Sequence, residues 1–421
     1  MTALPPEPSR VAALDGIRGL AIGLVLPFHF VSQYAPGRPI GALGEAFRIG
    51  WAGVDLFFVL SGFLITGILV DHRGVPRYYA AFYWRRALRI LPAFVVLMTV
   101  VWLIAILIPG LDPVGAARFR EWQPWYWTFT VNWLALQIGG AIALPLGTGL
   151  LWSLSVEENF YFVWPALVAL LPPRALVRAL WALVVVAIVT RLVLLATGDP
   201  TYAAYTLTPS RLDSLAGGGL LAIAWRDAAQ REQVTRRVFR LANAPWFIWL
   251  LVAAGVYAVL RTLDVNGYPV SVPMRAIGFT FNAAVAALLI ACALVAPRSS
   301  ALGRFCLNPV LRGLGRYAYS LYLFHVLIAL AFKQSGFTVD HLTRWSGSLL
   351  LAEVAFTVVV GCACYTWAAL SWRILERPAL ELKDLVPYHA GRHVDGQRGT
   401  TGPTADPPSS GREAPPRPGL L

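Results

Sequence analysis

Apolar runs separated by short polar segments recur along the chain as far as about residue 372. Many are about 17 to 25 residues long, which is the length that an α-helix needs to cross a bilayer. A further segment near 122–137 contains four tryptophans, a pattern typical of the membrane interface as much as of a crossing helix. The pattern predicts an all-α polytopic membrane protein with an interfacial or re-entrant segment near 122–137 and about ten transmembrane helices, at 12–34, 50–71, 88–109, 150–171, 179–197, 211–226, 246–261, 275–296, 317–333 and 347–372.

Basic residues in the loops predict the orientation of these helices. Arginines cluster at 73–89, 226–240 and 298–316. Lys and Arg accumulate in cytoplasmic loops. All three clusters fall on the cytoplasmic side if the chain starts there and 122–137 does not cross. With ten crossings, both termini are then predicted to be cytoplasmic.

Composition agrees with a membrane protein. The chain is 57% hydrophobic and only 14% charged, whereas soluble domains are about 45–50% apolar and about 25% charged. The net charge of +13 is explained by the cytoplasmic loops, so we predict no nucleic-acid partner. Beyond about residue 380 the chain is rich in Pro, Gly and Ser. We therefore predict one membrane domain, 1–379, followed by a disordered cytoplasmic tail, 380–421.

The first predicted helix carries Arg18 and His29 in the stretch "RGLAIGLVLPFH". Eleven residues make about three turns, so both side chains share one face and lie about 16 Å apart along the axis. Ionisable groups inside a span usually mark function. A snorkelling arginine and a hydrogen-bonded histidine are the structural alternative. Pro27 removes a helix hydrogen bond and should loosen the helix beside His29.

Asp55 lies in the second predicted helix, at a depth similar to that of His29. A carboxylate there would orient the imidazole and fix the tautomer that a general base requires. The alternative is that Asp55 bonds to the backbone or to an arginine.

The fourth predicted helix adds Ser153, Glu157 and Tyr161 at a spacing of four residues, which places them on one face. Glu158 is adjacent to this face, and His325 lies in the middle of the ninth predicted helix. So many polar groups at membrane depth predict a polar cavity.

Arg86 and Arg89 lie three residues apart in "WRRALRILPAF", at the cytoplasmic end of the third predicted helix. Guanidinium groups bind phosphate through paired hydrogen bonds, so the two arginines are candidate phosphate ligands. The alternative is ordinary positive charge of a cytoplasmic loop. The histidines and the four cysteines lack the spacing of metal ligands, so we predict no metal site.

The motifs, taken together and in order, resemble the integral-membrane acyltransferase family 3. They are "LDGIRGLAIGLVLPFH", "GVDLFFVLSGFLIT", "RRALRILPAF", "WSLSVEENFYFVWP", "YSLYLFHVLI" and "LERP". The resemblance covers about residues 10–379. Asn159 stands where glutamine is common in the family. Some members carry a fused extracytoplasmic hydrolase-like domain, which we do not expect here.

The resemblance implies transfer of an acyl group, acetyl by default, from acyl-CoA to a hydroxyl. It implies that His29 is the essential histidine and that Arg18 is its partner in the Arg-x10-His motif. Arg86 and Arg89 would bind the coenzyme A end. Beyond the resemblance, we predict that Arg18 also binds along the coenzyme A arm and that Asp55 or Glu157 orients His29. The acceptor or the oxyanion is predicted to be supported by the side chains Ser153, Tyr161 and Glu158.

The predicted protein is thus a multi-pass O-acyltransferase of the inner (plasma) membrane, with acyl-CoA as its donor substrate and no metal. The predicted acceptor is a hydroxyl of a cell-envelope glycan or glycolipid. One alternative acceptor is a small natural product such as a macrolide. A proton-coupled transporter is the alternative from a different class, since membrane carboxylates and histidines also form proton relays.

Overall fold

The computed structural model describes residues 7–32, 40–108, 110, 112–138, 144–198, 203–263 and 271–388. Residues 389–421, most of the predicted tail, lie outside this range, and the predicted disorder of the tail stays a prediction.

The described residues form α-helices and no β-strand. Short π-helical turns at Phe28–Ser32, Met274–Gly278 and Trp372–Glu376, and 3₁₀ turns at Pro145–Leu150 and Leu382–Leu385, adjoin these helices. In chain order the α-helices are α1 Glu7–Pro27, α2 Ala42–Ala46, α3 Ala52–Asp71, α4 Tyr78–Leu107, α5 Pro113–Glu121, α6 Gln123–Trp127, α7 Val131–Gln137, α8 Leu151–Leu170, α9 Pro173–Ala196, α10 Ala203–Thr206, α11 Thr208–Arg226, α12 Ala228–Ala242, α13 Trp246–Leu263, α14 Phe279–Val295, α15 Ala301–Cys306, α16 Pro309–Arg316, α17 Ala318–Gln334, α18 Val339–Ser346, α19 Leu349–Ser371 and α20 Arg377–Glu381.

The all-α polytopic prediction is confirmed, and each predicted span overlaps a helix. The bounds differ most at α4, which begins ten residues before the predicted span 88–109. Within the described ranges, six helices are long and apolar enough to cross a membrane, or up to eight if each of two bent helix pairs is one span. Two further predicted spans correspond to α8 and α11. Both helices contain charged residues, among them Glu157 in α8 and Arg211 in α11, which lower their mean hydropathy. These charged side chains point into the bundle.

The segment near 122–137 does not form a single helix. It contains α6 and α7, of five and seven residues, and neither is long enough to cross a bilayer. The side-chain amide of Asn159 on α8 donates to the Phe129 carbonyl (2.9 Å) and accepts from the Trp133 indole (3.2 Å) and the Thr208 hydroxyl (2.9 Å). This segment is therefore held against α8 and α11, as a re-entrant or interfacial element would be.

The helices are arranged around α3, which packs along α1, α8, α11 and α14. α1 also packs along α16. α9 lies at the outside of the bundle and exposes apolar side chains such as Trp181, Val185 and Val189. Exposed apolar side chains on a helix of this length indicate contact with lipid.

The longest helix outside the predicted segments is α12, in the basic loop after residue 226. It is amphipathic, buries Thr235, Val238 and Ala242, and meets α13 at 100°. The many charged residues of this segment are typical of a loop, but its apolar residues recur three and four positions apart, which is the pattern of a helix.

Close packing of α3 against α11 generates a testable prediction. A Cβ at Gly218 would overlap the backbone carbonyl of Val59, whereas a Cβ at the neighbouring Gly217 would meet open space. Gly218→Ala should lower the free energy of unfolding by about 1–3 kcal/mol, because the helices must move apart. Gly217→Ala, the matched control, should be neutral or slightly stabilising.

Thermal unfolding of the purified protein in detergent measures both variants. Equal unfolding temperatures for Gly217→Ala and Gly218→Ala would contradict the close approach of the two helices.

Candidate active site

His29 lies in a distorted part of the first span. The α-helical hydrogen bonding of α1 ends at Pro27, and Phe28–Ser32 form a π-helical turn that carries the half-buried His29. Pro27 has no N–H to donate, so the predicted loosening of the helix is confirmed at this point. π-Helical turns often occur at functional sites because they redirect a side chain from the helix surface.

A backbone carbonyl fixes the tautomer of His29. Its Nδ1 lies 3.0 Å from the carbonyl oxygen of Val25. A carbonyl oxygen can only accept, so Nδ1 carries the hydrogen and Nε2 carries the lone pair. The imidazole is thereby prepared to take a proton at Nε2, as a general base must.

Asp55 does not lie against His29 as predicted. Its carboxylate forms an ion pair with Arg211 on α11 and accepts a hydrogen bond from the amide of Asn282 on α14. Asp55 and Arg211 are fully buried. A guanidinium cation stabilises a buried carboxylate more than a neutral imidazole does, because an unpaired charge inside the bundle is strongly destabilising.

The buried ion pair belongs to a larger cluster. Arg191 on α9 donates to Asp213 (2.8 Å) and to the carbonyl oxygen of Ser210 (2.7 Å). The guanidinium carbon of Arg211 lies 4.1 Å from the ring centroid of Phe279, a cation–π contact. These contacts join α3, α9, α11 and α14.

The polar face of α8 is assembled largely as predicted. The Tyr161 hydroxyl donates to Glu157 (3.1 Å) and is hydrogen bonded to Ser61 on α3. Ser153 is hydrogen bonded instead to the hydroxyl of Tyr322 on α17 (2.6 Å). The face therefore lies between α3 and α17. Glu158 lies next to this face, and its Oε1 is buried without a hydrogen-bond partner in the described part of the chain.

Arg18, Arg86 and Arg89 converge at one end of the bundle, which we call the arginine end. Arg89 lies close enough to Arg18 and Arg86 for the three charges to repel. Arg86 lies over the Tyr161 ring, with 5.2 Å between its guanidinium carbon and the ring centroid. Arg86 also attracts Glu157. A cluster of three cations in one place is a favourable site for an anion.

The three arginines differ in whether a carboxylate already forms an ion pair with them. Arg18 pairs with Asp15 at 2.5 Å, and Arg89 pairs with the fully buried Glu376 at 3.2 Å. Within the described part of the chain, Arg86 has no ion pair and contacts only aromatic rings and more distant charges. The Arg86 guanidinium therefore has the most hydrogen-bonding capacity left for a phosphate.

Two residues of the site were not assigned a role from the sequence. Glu376, in the "LERP" motif, accepts from Arg89 and from the hydroxyl of Ser320 (2.7 Å). His325 on α17 is fully buried, and its ring contacts the ring of His29 with 4.8 Å between centroids. The signals were present, since a carboxylate next to a span and a histidine inside one are both unusual.

No group of three His, Cys, Asp or Glu side chains suited to a metal occurs among the residues whose structure is described. The four cysteines are free.

The described helices are those of a polytopic membrane protein, and the chain belongs to a family of acyltransferases. The family model described as "Acyltransferase domain" matches residues 11–372, which confirms the resemblance seen in the motifs. No solved structure matches the chain.

Several curated proteins are similar to this chain. Peptidoglycan O-acetyltransferase OatA of Listeria monocytogenes is 27% identical over 382 residues, covering 87% of this chain and 55% of the relative. Putative peptidoglycan O-acetyltransferase YrhL of Bacillus subtilis is 28% identical, covering 87% and 54%. O-acetyltransferase OatA of Staphylococcus aureus is 26% identical, covering 88% and 57%. The chain thus spans about half the length of these relatives.

The buried ion pair generates a prediction about stability. Asp55→Leu leaves the Arg211 charge without its partner and should lower the free energy of unfolding by about 3–5 kcal/mol. The double variant Asp55→Leu/Arg211→Met removes both charges and should recover much of this loss. Thermal unfolding in detergent measures both.

The control is the pair of Asp71 and Arg226, in which the Asp71 side chain is 49% exposed. Asp71→Leu should cost only about 0–1 kcal/mol. A double variant of Asp55 and Arg211 less stable than either single variant would contradict the analysis.

Proposed function

We propose that this protein is a membrane-bound O-acyltransferase that moves an acyl group, acetyl in the simplest case, from acyl-CoA to a hydroxyl of a cell-envelope glycan or glycolipid. Membership of the acyltransferase family and the names of the relatives support this reaction. The observation that carries the proposal is the position of His29. His29 and Arg18 lie on the same helical span, about 16 Å apart along its axis, so the Nε2 lone pair and the arginine end are within the reach of one extended ligand.

Acyl-CoA binds at the arginine end in this proposal. Coenzyme A carries phosphates, and Arg86 retains the donors needed for them. Glu376 fixes the Arg89 side chain by accepting from one of its nitrogens and leaves its other nitrogens to a ligand. Since the loops at this end are the most basic, we place it on the cytoplasmic side of the plasma membrane, where both termini would also lie.

The pantetheine arm then extends along the face formed by Tyr161 and Glu157 towards His29. As the acceptor hydroxyl loses its proton to His29 Nε2, its oxygen attacks the thioester carbon. The C–S bond breaks, and the thiolate takes the proton. The hydroxyl groups of Ser153 and Tyr161 are candidate donors to the oxyanion. To donate to it, the Tyr161 hydroxyl turns away from Glu157, the acceptor that it has in the free enzyme.

The acceptor class comes from the relatives, two of which are named as acting on peptidoglycan. Because the chain spans about half of those proteins, the envelope glycan is a proposal for this chain. A small natural product remains the competing acceptor, and the labelled product distinguishes the two.

Transfer of label tests the proposed reaction. Membranes from cells that express the wild type should transfer radiolabel from acetyl-CoA into the lipid or polysaccharide fraction. His29→Ala should lower the rate at least about 100-fold, because a positioned general base contributes about that much. The matched control is His341→Ala, since His341 is exposed on the separate helix α18.

Label that survives His29→Ala would remove His29 from the chemistry. Label confined to small molecules would replace the glycan by a natural product. Movement of an unmodified substrate across the membrane, with no labelled product, would favour the transporter.

Donor binding gives a second prediction. Arg86→Ala should raise KM for acetyl-CoA about 10- to 100-fold with a smaller change in kcat, because a charge-assisted hydrogen bond to phosphate is worth about 1.5–3 kcal/mol. Arg240→Ala, on the exposed face of α12, is the control and should leave KM unchanged. An equal rise in KM for both variants would indicate a general surface effect and contradict a site at Arg86.

A further inference from the structure

The imidazole of His29 is in contact with a second imidazole, that of His325. His325 is fully buried on α17, and its ring meets the ring of His29 at 68°, with 4.8 Å between centroids. Phe30 and Tyr322 pack at other sides of His325, at 6.3 and 5.7 Å between centroids. His325 is therefore enclosed by aromatic rings and contacts one other imidazole among the residues described.

The hydrogen bonding of His325 leaves one nitrogen without a partner. Nδ1 lies 2.6 Å from the carbonyl oxygen of Tyr322, so Nδ1 carries the hydrogen and Nε2 carries the lone pair. Nε2 is buried and has no hydrogen-bond partner among the residues that the structure describes. Buried polar atoms in native proteins are nearly always satisfied, so an unsatisfied acceptor at this position requires an explanation.

The same pattern occurs in both histidines. Each Nδ1 donates to a carbonyl of its own helix, Val25 for His29 and Tyr322 for His325, and each ring therefore presents an unprotonated Nε2. Two acceptors cannot bond to each other. One added proton makes one ring a donor and gives the other a partner, so the pair is suited to hold a single proton.

We propose that His325 is a positioning residue for acyl transfer, whose Nε2 accepts a hydrogen bond from the imidazolium of His29. This inference rests on the proposed function, in which His29 takes the hydroxyl proton. The hydroxyl oxygen forms its bond to the thioester carbon, the C–S bond breaks, and the thiolate receives the proton from His29. His325 stabilises the imidazolium between proton removal and proton delivery and is itself unchanged at the end.

Tyr322 connects the pair of histidines to α8. Its carbonyl orients His325, and its hydroxyl bonds to Ser153 on the face that carries Glu157 and Tyr161. The second imidazole is thereby held in register with the face along which the donor arm would extend. The positive charge of Lys333 also acts on His29 and disfavours the imidazolium, which a neutral hydrogen-bond acceptor beside the ring offsets.

Two substitutions separate the hydrogen bonds of His325. The amide of His325→Asn lies at the level of Nδ1 and keeps the donor to Tyr322, but it leaves no atom at the level of Nε2. The amide of His325→Gln reaches the level of Nε2 and supplies an acceptor there. We expect Asn to lower kcat about 10- to 100-fold with KM for acetyl-CoA unchanged, and Gln to stay within about tenfold of the wild type.

A wild-type kcat in His325→Asn would overturn the proposal, since the acceptor would then be unnecessary. An equal loss in both variants would also overturn it, because the ring would then act only by packing. Each variant is first compared with the wild type for its unfolding temperature in detergent.

A second measurement does not depend on activity. Nitrogen NMR of protein labelled at the histidine rings reports which ring nitrogens are protonated, with resonances assigned from His29→Asn and His325→Asn. When His29 takes up one proton, the Nε2 resonance of His325 should move with it. Independent resonances would overturn the pairing even in an active enzyme. Joint movement without any acetyl transfer would support the pairing and refute the proposed function instead.

Discussion

The cost of placing charge inside a bundle of helices governs this structure. Asp55, Arg191, Arg211 and Asp213 are buried at membrane depth, where water is excluded and an unpaired charge is strongly destabilising. They satisfy one another across four helices, with Thr280 and Asn282 as additional donors. This network fixes how α3, α9, α11 and α14 meet, and the remaining helices pack on that frame.

Two groups of polar side chains keep hydrogen-bonding capacity that the proposed reaction uses. At the arginine end, Arg86 lies among aromatic rings and forms no ion pair within the described ranges, whereas Arg18 and Arg89 each have a carboxylate partner. Around His29, two imidazoles each keep a lone pair. Polar groups that keep such capacity inside a bundle are available to a substrate. The proposed reaction uses the first group for an anionic donor and the second for proton transfer.

Much of this arrangement could be predicted from the chain. The period of apolar residues located the helices, and the spacing of Ser153, Glu157 and Tyr161 placed them on one face of α8. The ordered motifs indicated the acyltransferase family, which the family match to residues 11–372 confirms. Local spacing sufficed in these cases because each depends on the geometry of a single helix.

What the sequence alone determined is therefore the class of protein, the helices and the side chains that each helix presents. The tertiary structure decided the partners. Asp55 pairs with Arg211, more than 150 residues away, because a guanidinium neutralises a buried carboxylate where an imidazole does not. Glu376 contacts Arg89, and His325 contacts His29, although each pair is separated by more than 280 residues of sequence. Such pairs follow from how helices pack in three dimensions, and spacing within one helix carries no information about them.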